Sequence, residues 1–258
     1  MSFQRAIVRV PGENFSEGVT TGESGAPEYA LALAQHEAYC AALRECGLEL
    51  TILPADLRYP DSTFVEDVAV LAGNCAVLTH PGAPSRQGEV EAIRSAVSEF
   101  FSSLFQINEP GALDGGDVCE ADDHFFIGIS QRTNEEGARQ LAALLKQAGF
   151  TSSLVDVRRV PGMLHLKSWL AYLGNRTLVV AEGLASLIDQ FPGFRIIRVD
   201  RRESYAANCL RINDTVLLPA GYAGFQRALE VLNYPLITLD MSEFEKMNGG
   251  LSCLSLRF

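Results

Sequence analysis

The chain has 258 residues, of which 47% are hydrophobic and 21% charged, and its formal net charge is −11. This composition is typical of a soluble globular protein, and the lack of an apolar run of about 20 residues argues against a membrane-spanning segment. An acidic chain without a cluster of Lys and Arg does not fit a nucleic-acid-binding protein, whereas it tolerates a cationic ligand well. Because the N-terminal residues contain no apolar signal core, we expect a cytoplasmic location.

The predicted elements begin with a strand at Arg5–Val10 and a helix from about Glu28 to Glu45. Further along, a short polar or glycine-containing motif comes before an apolar strand, a turn and a second strand, and a helix usually follows. The first copy consists of the motif Phe64–Asp67, strands at Val68–Leu71 and Cys75–Thr79, and a helix from about Gly88 to Phe101. The apolar residues of that helix recur with a helical period.

The same order of elements recurs three more times along the chain. The second copy has Leu113–Val118, a strand at His124–Gly128 and a helix of about Asn134 to Ala148, for which Thr133 or Asn134 is the expected N-cap. The third has Leu164–Lys167 and Thr177–Val180, and the fourth has Ala206–Leu210, Thr215–Pro219 and a helix near Gly224 to Val231.

A fifth copy is predicted to combine the two ends of the chain. Its first strand lies within Gly249–Leu256, and the N-terminal strand and helix supply the rest. Marker residues Asp67, Asp117, His165, Cys209 and Cys253 follow one another at intervals of 50, 48, 44 and 44 residues. This period favours a ring of β/α units with the five motifs at its centre, although an ordinary α/β sheet with evenly spaced strands remains an alternative.

The motifs hold residues that carry chemistry, namely Glu66, Asp67, Asp114, Asp117, His165, Asn208 and Cys253. This set suits nucleophilic attack on a cationic carbon: a thiolate attacks, a histidine protonates the leaving group and activates water, and carboxylates hold the histidine and the substrate. Taken alone, the residues leave a second interpretation open, in which the cysteine and histidine are core residues and the aspartates belong to tight turns.

The other cysteines have a simpler interpretation. None of the six forms a Cys-x-x-Cys pair, which argues against a zinc site or a redox dithiol, and free thiols are expected in a reducing compartment. Cys40, Cys75, Cys119 and Cys209 lie in apolar segments and are expected to be small core residues. Cys253 differs because it follows two glycines, which permit close backbone approach.

Two further groups of charged residues fit a charged amino-acid ligand. Asp61, Glu66 and Asp67 form an acidic cluster that could receive a guanidinium group, since paired carboxylates accept one bidentately. Arg86 and Arg132 each follow the second strand of a copy, in equivalent loops, and two such arginines can clamp a carboxylate. A solvated strand end and two surface arginines are the alternatives.

Together these motifs resemble the dimethylarginine dimethylaminohydrolase family of the guanidino-group-modifying, or pentein, superfamily. The matching pieces occur in the family's order over essentially the whole chain, and they are Pro60–Asp67, Leu113–Val118, Arg132–Asn134, Leu164–Ser168, Ala206–Cys209 and Gly249–Cys253. The resemblance implies an α/β fold, a five-bladed α/β-propeller of ββαβ-type repeats. It also implies that residues 1–258 form a single catalytic domain, with the fifth repeat closed by both termini.

The resemblance also implies roles for particular residues. Cys253 would be the nucleophile and His165 the acid and base, while Asp114 would orient His165, bind a substrate nitrogen or hold its loop. The implied substrate-binding residues are Asp61, Glu66 and Asp67 for cationic groups, Arg86 and Arg132 for the α-carboxylate, and Val19 and Met247 through their backbone groups.

The implied reaction is hydrolysis of Nω-methylated arginine to citrulline and a methylamine through a covalent thiouronium intermediate. No metal or cofactor is expected, because the guanidinium group itself supplies the positive charge. The expected partner is a small guanidine amino acid, with no nucleic acid or membrane, and a homodimer is left open. An arginine deiminase is one alternative, although deiminases typically carry His-x-Asp where this chain has His165-Leu166-Lys167. A non-catalytic amino-acid-binding protein is another.

Overall fold

The structure, a computed structural model, describes residues 2–20 and 24–258. Within these ranges the strands form five separate three-stranded sheets. The strands are β1 Arg5–Arg9, β2 Glu49–Leu53, β3 Ala69–Ala72, β4 Cys75–Leu78, β5 Ser103–Gln106, β6 Val118–Ala121, β7 His124–Ile129, β8 Thr151–Asp156, β9 Leu170–Tyr172, β10 Thr177–Ala181, β11 Arg195–Val199, β12 Leu210–Ile212, β13 Thr215–Pro219, β14 Leu236–Leu239 and β15 Ser255–Arg257. The helices are α1 Tyr29–Glu45, α2 Glu89–Ser98, α3 Glu135–Gln147, α4 Ala223–Val231 and α5 Ser242–Lys246.

Each sheet is one repeat of the predicted ring. Its first two strands pair antiparallel, as a hairpin in the first four repeats, and the third strand returns parallel to the second, as in β3, β4 and β5. A helix such as α2 makes this return, because parallel neighbours need a crossover connection. Tight two-residue turns close the first two hairpins, and Gly73 and Asp122 adopt there the positive φ angles that such turns require.

The two ends of the chain complete the fifth repeat, as the sequence predicted. Strand β1 pairs antiparallel with β15 and parallel with β2, and α1 connects β1 to β2. Hydrogen bonds between Arg5 and Phe258 extend this pairing to the end of the chain. The fold is therefore a propeller-like ring of five α/β units.

Local signals explain why the helices begin and pack as they do. The side chain of Asn134 accepts a hydrogen bond of 2.8 Å from the backbone N–H of Gly137, which confirms Asn134 as the N-cap of α3. Ala138, Leu141 and Leu145 recur at helical spacing on one face of α3 and are buried. That face packs in a core cluster with strands of the first and second repeats.

Three details differ from the sequence-based expectations. The third strand of each repeat had no clear sequence pattern, because strands such as β5 and β8 are only partly buried and do not alternate cleanly. The polar motifs form short 3₁₀ turns ahead of the first strands and are not part of them. Cys75 is half-buried at a hairpin tip, so it is not the core residue we expected, whereas Cys40, Cys119 and Cys209 are buried.

A cavity of about 250 Å³ lies among the first strands of the repeats. Its lining includes Glu66 and Ser252, whereas their chain neighbours Asp67 and Cys253 line a different, smaller cleft. The short turns formed by the polar motifs therefore lie between the larger cavity and the smaller cleft. Among the described residues, no helix has the length and apolar content that crossing a membrane requires.

Candidate active site

The smaller cleft gathers residues from distant parts of the chain into a space of about 20 Å³. Its lining is Val19, Asp61, Phe64, Asp67, Arg86, Arg132, Leu164, His165, Met247, Asn248, Gly249 and Cys253. Of the residues to which the family resemblance assigns a role, all but Glu66 and Asp114 line this cleft. The short turns that precede the first strands of the repeats deliver most of the chemically active ones.

Cys253 lies in the turn Ser252–Leu254, and its backbone N–H donates a hydrogen bond to the Gly250 carbonyl. Burial, together with the nearby carboxylates of Glu66 and Asp67, raises the pKa of the Cys253 thiol to about 12. Both effects disfavour the negative thiolate. The thiol is therefore protonated at neutral pH in the ligand-free protein.

His165 is buried between acids at the opposite side of the same cleft. Its Nε2 lies 2.9 Å from Asp114 Oδ2, and its Nδ1 lies 4.0 Å from Asp67 Oδ1. Burial opposes the imidazolium form, but Asp67, the hydrogen bond to Asp114 and the charge of Asp117 outweigh it and raise the pKa of His165 to about 9. His165 thus carries a proton at neutral pH and can donate it.

The close packing around His165 needs a glycine. A Cβ atom on Gly116 would come within 2.7 Å of His165 Nδ1 and 2.6 Å of Asp67 Oδ1. These distances are shorter than real carbon contacts allow, so any larger residue would push the imidazole and the carboxylate apart. Gly116 is therefore part of the site's geometry and not merely a turn residue.

Asp114 is fully buried and touches His165 directly, which supports its expected role of orienting the imidazole. Its Oδ1 accepts a hydrogen bond of 2.8 Å from the backbone N–H of Gly82, and its own N–H donates to Thr133 Oγ1. Both contacts fix the carboxylate so that Oδ2 faces the imidazole. The short aspartate side chain therefore reaches its partner in this chain.

Asp67 connects the histidine to an arginine. Its Oδ1 accepts from the backbone N–H of Gly116 at 2.9 Å, and its Oδ2 accepts from Arg86 Nη1 at 2.5 Å. Burial favours the neutral acid, but the charges of His165 and Arg86 outweigh it and lower the pKa of Asp67. Asp67 is thus an ionised carboxylate at the cleft, suited to a cationic ligand.

The guanidinium group of Arg86 is bound by the carboxylate of Glu89, a residue that the sequence did not indicate as part of the site. The Nε and Nη2 atoms of Arg86 lie 3.0 and 2.8 Å from the two Glu89 oxygens, and Nη2 also donates to the Phe64 carbonyl. Burial raises the pKa of Glu89 to about 7 against the opposing charge of Arg86. The Arg-x-x-Glu spacing around the start of α2 was the available signal.

This arrangement predicts a large loss of stability on replacing Arg86 with Ala. The change leaves Asp67 and Glu89 buried without their cation, so the free energy of unfolding should fall by about 3–5 kcal/mol. Denaturant unfolding measures the difference. Arg139→Ala, which breaks an exposed ion pair with Glu135, is the control and should cost less than about 1 kcal/mol. Equal losses in both variants would contradict the prediction.

Arg132 differs from Arg86 in having an open donor. Among the described residues its buried Nη1 has no hydrogen-bond partner, and the nearest carboxylate oxygen, Asp114 Oδ2, is 3.7 Å away. A buried N–H group without an acceptor is uncommon in folded proteins. Since Arg132 lines the cleft, a bound anionic group such as a carboxylate would supply that acceptor.

The structure corrects the expectation for the side chain of Glu66. Its Oε1 lies 2.7 Å from Lys167 Nζ and 3.0 Å from Arg257 Nη2, and its Oε2 accepts a hydrogen bond from Ser252 Oγ. These partners lie at the larger cavity and not at the cleft. With both oxygens occupied there, the Glu66 carboxylate is not placed to bind a guanidinium group, and its contacts hold the turn before Cys253.

Asp61, Val19 and Met247 form a further part of the cleft lining. Both oxygens of Asp61 accept from the Val19 N–H, at 3.0 and 3.2 Å. Burial raises the pKa of Asp61, which the charge of Arg86 partly offsets. The side chain of Met247 is buried, so the residue lines this part of the cleft without exposing a charge.

Asp67, Asp114 and His165 also form a group whose ligand atoms lie within 4.8 Å of one another among the described residues. Their hydrogen bonds already account for this proximity. The protonated imidazole joins Asp114, and Asp67 is shared between Arg86 and a backbone N–H. A cation at this position would have to displace these donors, so the donor set does not fit a metal ion.

The raised pKa of Cys253 predicts how the thiol reacts with alkylating agents. Because only the thiolate reacts, the rate of iodoacetamide alkylation at Cys253 should keep rising from about pH 7 to about pH 10 without levelling off. Adding a low concentration of guanidinium ion should speed the reaction at pH 8, since a cation near Asp67 favours the thiolate. Mass spectrometry of the Cys253 peptide separates it from the other thiols. A plateau below pH 8 without added cation would contradict the expectation.

A ring of five α/β units whose centre carries a cysteine, a histidine and several carboxylates is the architecture of the pentein class of α/β-propeller proteins. A family model described as N,N dimethylarginine dimethylhydrolase, eukaryotic, matches residues 13–250. The chain is 44% identical to the dimethylarginine dimethylaminohydrolase of Pseudomonas aeruginosa, over 99% of this chain and 100% of that protein. It is 36% identical to the enzyme of the same name from Streptomyces coelicolor, over 100% of this chain and 98% of that one. The chain therefore belongs to the dimethylarginine dimethylaminohydrolase family.

Solved structures agree with this assignment. The Pseudomonas aeruginosa protein, crystallised as a Cys-to-Ser variant with citrulline, superposes with a TM-score of 0.96 at 43% identity and full coverage of both chains. A dimethylarginine dimethylaminohydrolase carrying a His-to-Gly change, solved as an adduct with S-methyl-L-thiocitrulline, has a TM-score of 0.95 at 43% identity, over 99% of this chain and 100% of that one. The N-terminal domain of the cyanobacterial arginine dihydrolase ArgZ shares the fold, with a TM-score of 0.87 at 17% identity over 100% and 97% of the two chains.

Proposed function

We propose that this protein hydrolyses Nω-methylated arginine, as asymmetric dimethylarginine or monomethylarginine, to citrulline and a methylamine. The observation that carries the proposal is the convergence of Cys253, His165 and Asp67 on one cleft in a chain that is 44% identical, end to end, to a dimethylarginine dimethylaminohydrolase. A thiol, a protonated imidazole and an ionised acid are the groups that cleavage of a guanidinium C–N bond requires.

Substrate binding follows from the charges along the cleft. Asp67 receives the guanidinium group, because it is ionised and lies beside His165. Asp61 receives the α-ammonium group, and Arg132 offers its open N–H to the α-carboxylate. Arg86, already bound by Asp67 and Glu89, contributes at most one edge of its guanidinium to that carboxylate. Val19 and Met247 bound the ligand's amino-acid end.

The first half of the reaction begins when the bound cation offsets the nearby carboxylates, so that the Cys253 thiol releases its proton to solvent and becomes a thiolate. Its sulfur attacks the central guanidinium carbon and forms a C–S bond. The proton of His165 passes to the methylated nitrogen, the C–N bond breaks and the methylamine leaves. A thiouronium group remains on Cys253, and the imidazole of His165 is now neutral.

In the second half, the neutral His165 takes a proton from a water molecule, whose oxygen attacks the thiouronium carbon. The tetrahedral adduct then collapses, the C–S bond breaks, and the proton of the adduct's hydroxyl group passes to the departing sulfur, which restores the Cys253 thiol. The ureido group of citrulline forms, and His165 ends with its proton restored. Asp114 stabilises the charged imidazole at both stages through its 2.9 Å contact with Nε2.

An arginine deiminase remains the alternative within the same fold. That activity typically uses a carboxylate two residues after the histidine, where this chain has Lys167. The Lys167 ammonium pairs with Glu66 at the larger cavity and leaves no carboxylate at this place in the cleft. A site without that second acceptor demands an unsubstituted nitrogen less strongly, which favours methylated arginine.

The test is to incubate the protein separately with asymmetric dimethylarginine, monomethylarginine and arginine, and to measure citrulline and the released amine. Citrulline from the methylated substrates, with little from arginine, is the expected result. Citrulline from arginine alone would identify a deiminase instead. No citrulline from any of them would reject hydrolysis of these substrates and leave the non-catalytic binding protein.

We further propose that residues 1–258 act as a single catalytic domain, in which both termini close the fifth repeat. Pairing of β1 with β15 supports this, because neither end of the chain could be removed without breaking a sheet. A cytoplasmic location agrees with its buried and half-buried thiols, which suit a reducing compartment.

A further inference from the structure

Asn208 lies between the two turns that carry the reactive groups. Its Oδ1 accepts a hydrogen bond of 3.0 Å from the backbone N–H of Ser252, the residue before Cys253. Its Nδ2 donates to the carbonyl of Lys167, two residues after His165, at 2.9 Å, and to Ser252 Oγ at 3.2 Å. One buried amide therefore joins the turn of the nucleophile to the turn of the acid and base.

The orientation of this amide is fixed by its surroundings. Exchanging Oδ1 and Nδ2 would set an oxygen against the Lys167 carbonyl and two N–H groups against each other at Ser252. Contact with the nucleophile's loop is also tight, because a Cβ on Gly250 would come within 2.6 Å of Asn208 Oδ1. The loop can follow this path only with glycine at that position.

A second connection joins the same two turns and is independent of Asn208. Glu66 bonds Lys167 Nζ with one oxygen and Ser252 Oγ with the other. Loss of Asn208 would therefore leave the turns attached through side chains, while freeing their backbones to shift. The fold can therefore survive a substitution of Asn208 that alters the spacing between the two turns, and this makes a positioning role testable.

We propose that Asn208 is a positioning residue that sets the separation between Cys253 and His165. The inference rests on the proposed function, in which both groups act on one substrate carbon. Asn208 does not line the cleft, so it acts through the two turns and not by touching the substrate. A displacement of about 1 Å in a reacting group can cost about 100-fold in rate, so a spacer of this kind affects turnover strongly.

Asn213 offers a matched control in the same repeat. Its Oδ1 accepts from the Phe3 N–H at 2.8 Å, and its Nδ2 donates to the carbonyls of Phe3 and Cys46. It thus makes as many hydrogen bonds as Asn208 but joins elements away from the cleft. Changing either residue to Asp keeps the shape of the side chain and removes its donors.

The experiment compares Asn208→Asp, Asn208→Ala and Asn213→Asp in thermal stability and in turnover of asymmetric dimethylarginine. For both Asn208 variants we expect kcat to fall about 100-fold with KM changed by less than about threefold, since the groups that bind substrate lie on other segments. For Asn213→Asp we expect a lower Tm with kcat within about twofold of the wild type. A kcat within about twofold in either folded Asn208 variant, or equal losses at Asn208 and Asn213, would overturn the proposal.

Crystal structures of the wild type, Asn208→Asp and Asn213→Asp provide a readout that does not depend on the substrate. The distance from Cys253 Sγ to the His165 imidazole should change by about 1 Å in Asn208→Asp and stay constant in Asn213→Asp. An unchanged distance at Asn208 would reject positioning even if turnover fell. A wild type that makes no citrulline would instead reject the proposed function, and the distance comparison would still decide this inference.

Discussion

Replacing Cys253 with Ser is expected to lower kcat by at least about 10⁴-fold while leaving substrate binding within a few-fold of the wild type. A serine hydroxyl is far harder to ionise than a thiol, and in this cleft Glu66 and Asp67 already disfavour the anion. No other thiol and no hydroxyl or amine side chain lines the described part of the cleft. The binding groups Asp61 and Arg132 remain in place, so affinity should persist.

Two measurements test this expectation together. Citrulline release gives kcat, and calorimetric titration with asymmetric dimethylarginine gives the dissociation constant of the inactive variant. Cys75→Ser is the control, because Cys75 is a half-buried thiol at a hairpin tip away from the cleft, and its activity should match the wild type. Residual turnover above about 1% in Cys253→Ser would mean that another group attacks the substrate.

Replacing His165 with Gly should have the second-largest effect, a fall in kcat of about 10²–10⁴-fold. The departing amine needs a proton, and His165 holds one at neutral pH because its pKa is raised to about 9. The same residue activates water in the second half of the reaction. A substrate analogue whose leaving group is a thiol does not need that proton, so it should still form the adduct on Cys253.

Loss of His165 should thus spare formation of the adduct from such an analogue but slow its hydrolysis, which makes the prediction specific. With S-methyl-L-thiocitrulline, the His165→Gly variant should accumulate a covalent adduct, which intact-protein mass spectrometry detects, and hydrolyse it slowly. His124→Gly is the control, since His124 lies on a hairpin outside the cleft and should leave turnover unchanged. If His165→Gly turned over asymmetric dimethylarginine at the wild-type rate, His165 could not be the acid and base.

Much of the fold could be predicted because each repeat contains a recognisable local pattern of apolar residues. The apolar runs of β4, β7, β10 and β13 are nearly continuous in the sequence, since each is the central strand of its sheet and is buried on both faces. The third strand of each repeat was missed because strands such as β5 and β8 are only partly buried and carry mixed residues. Their pairing is decided by the helix that returns the chain, not by their own composition.

The candidate site likewise contains residues that the sequence could indicate and residues whose contacts only the fold reveals. Cys253, His165 and Asp114 could be proposed from the sequence because their residue types are themselves the chemical signal, and their motifs recur at the repeat period. Glu89 was missed because an acid in the first turn of a helix is ordinary, and only the fold places it against Arg86. The sequence groups Glu66 with Asp67 as acids that bind the substrate. Neighbouring side chains of a short turn point to different sides, so Glu66 lines the larger cavity whereas Asp67 lines the cleft.

The sequence by itself predicted the five-unit ring and the closure of that ring by both chain ends, and it indicated Cys253 and His165 as the candidate nucleophile and acid. These follow from spacing and residue type, which are local properties of the chain. Only the tertiary structure decided that Arg86 is held by Glu89, that Glu66 faces the larger cavity, and that Asn208 joins the turns of Cys253 and His165. The contacts of Glu66 and Asn208 join residues far apart in the chain, and even the short-range Arg86–Glu89 pair has its hydrogen-bond geometry only once the backbone has fixed each side chain in place.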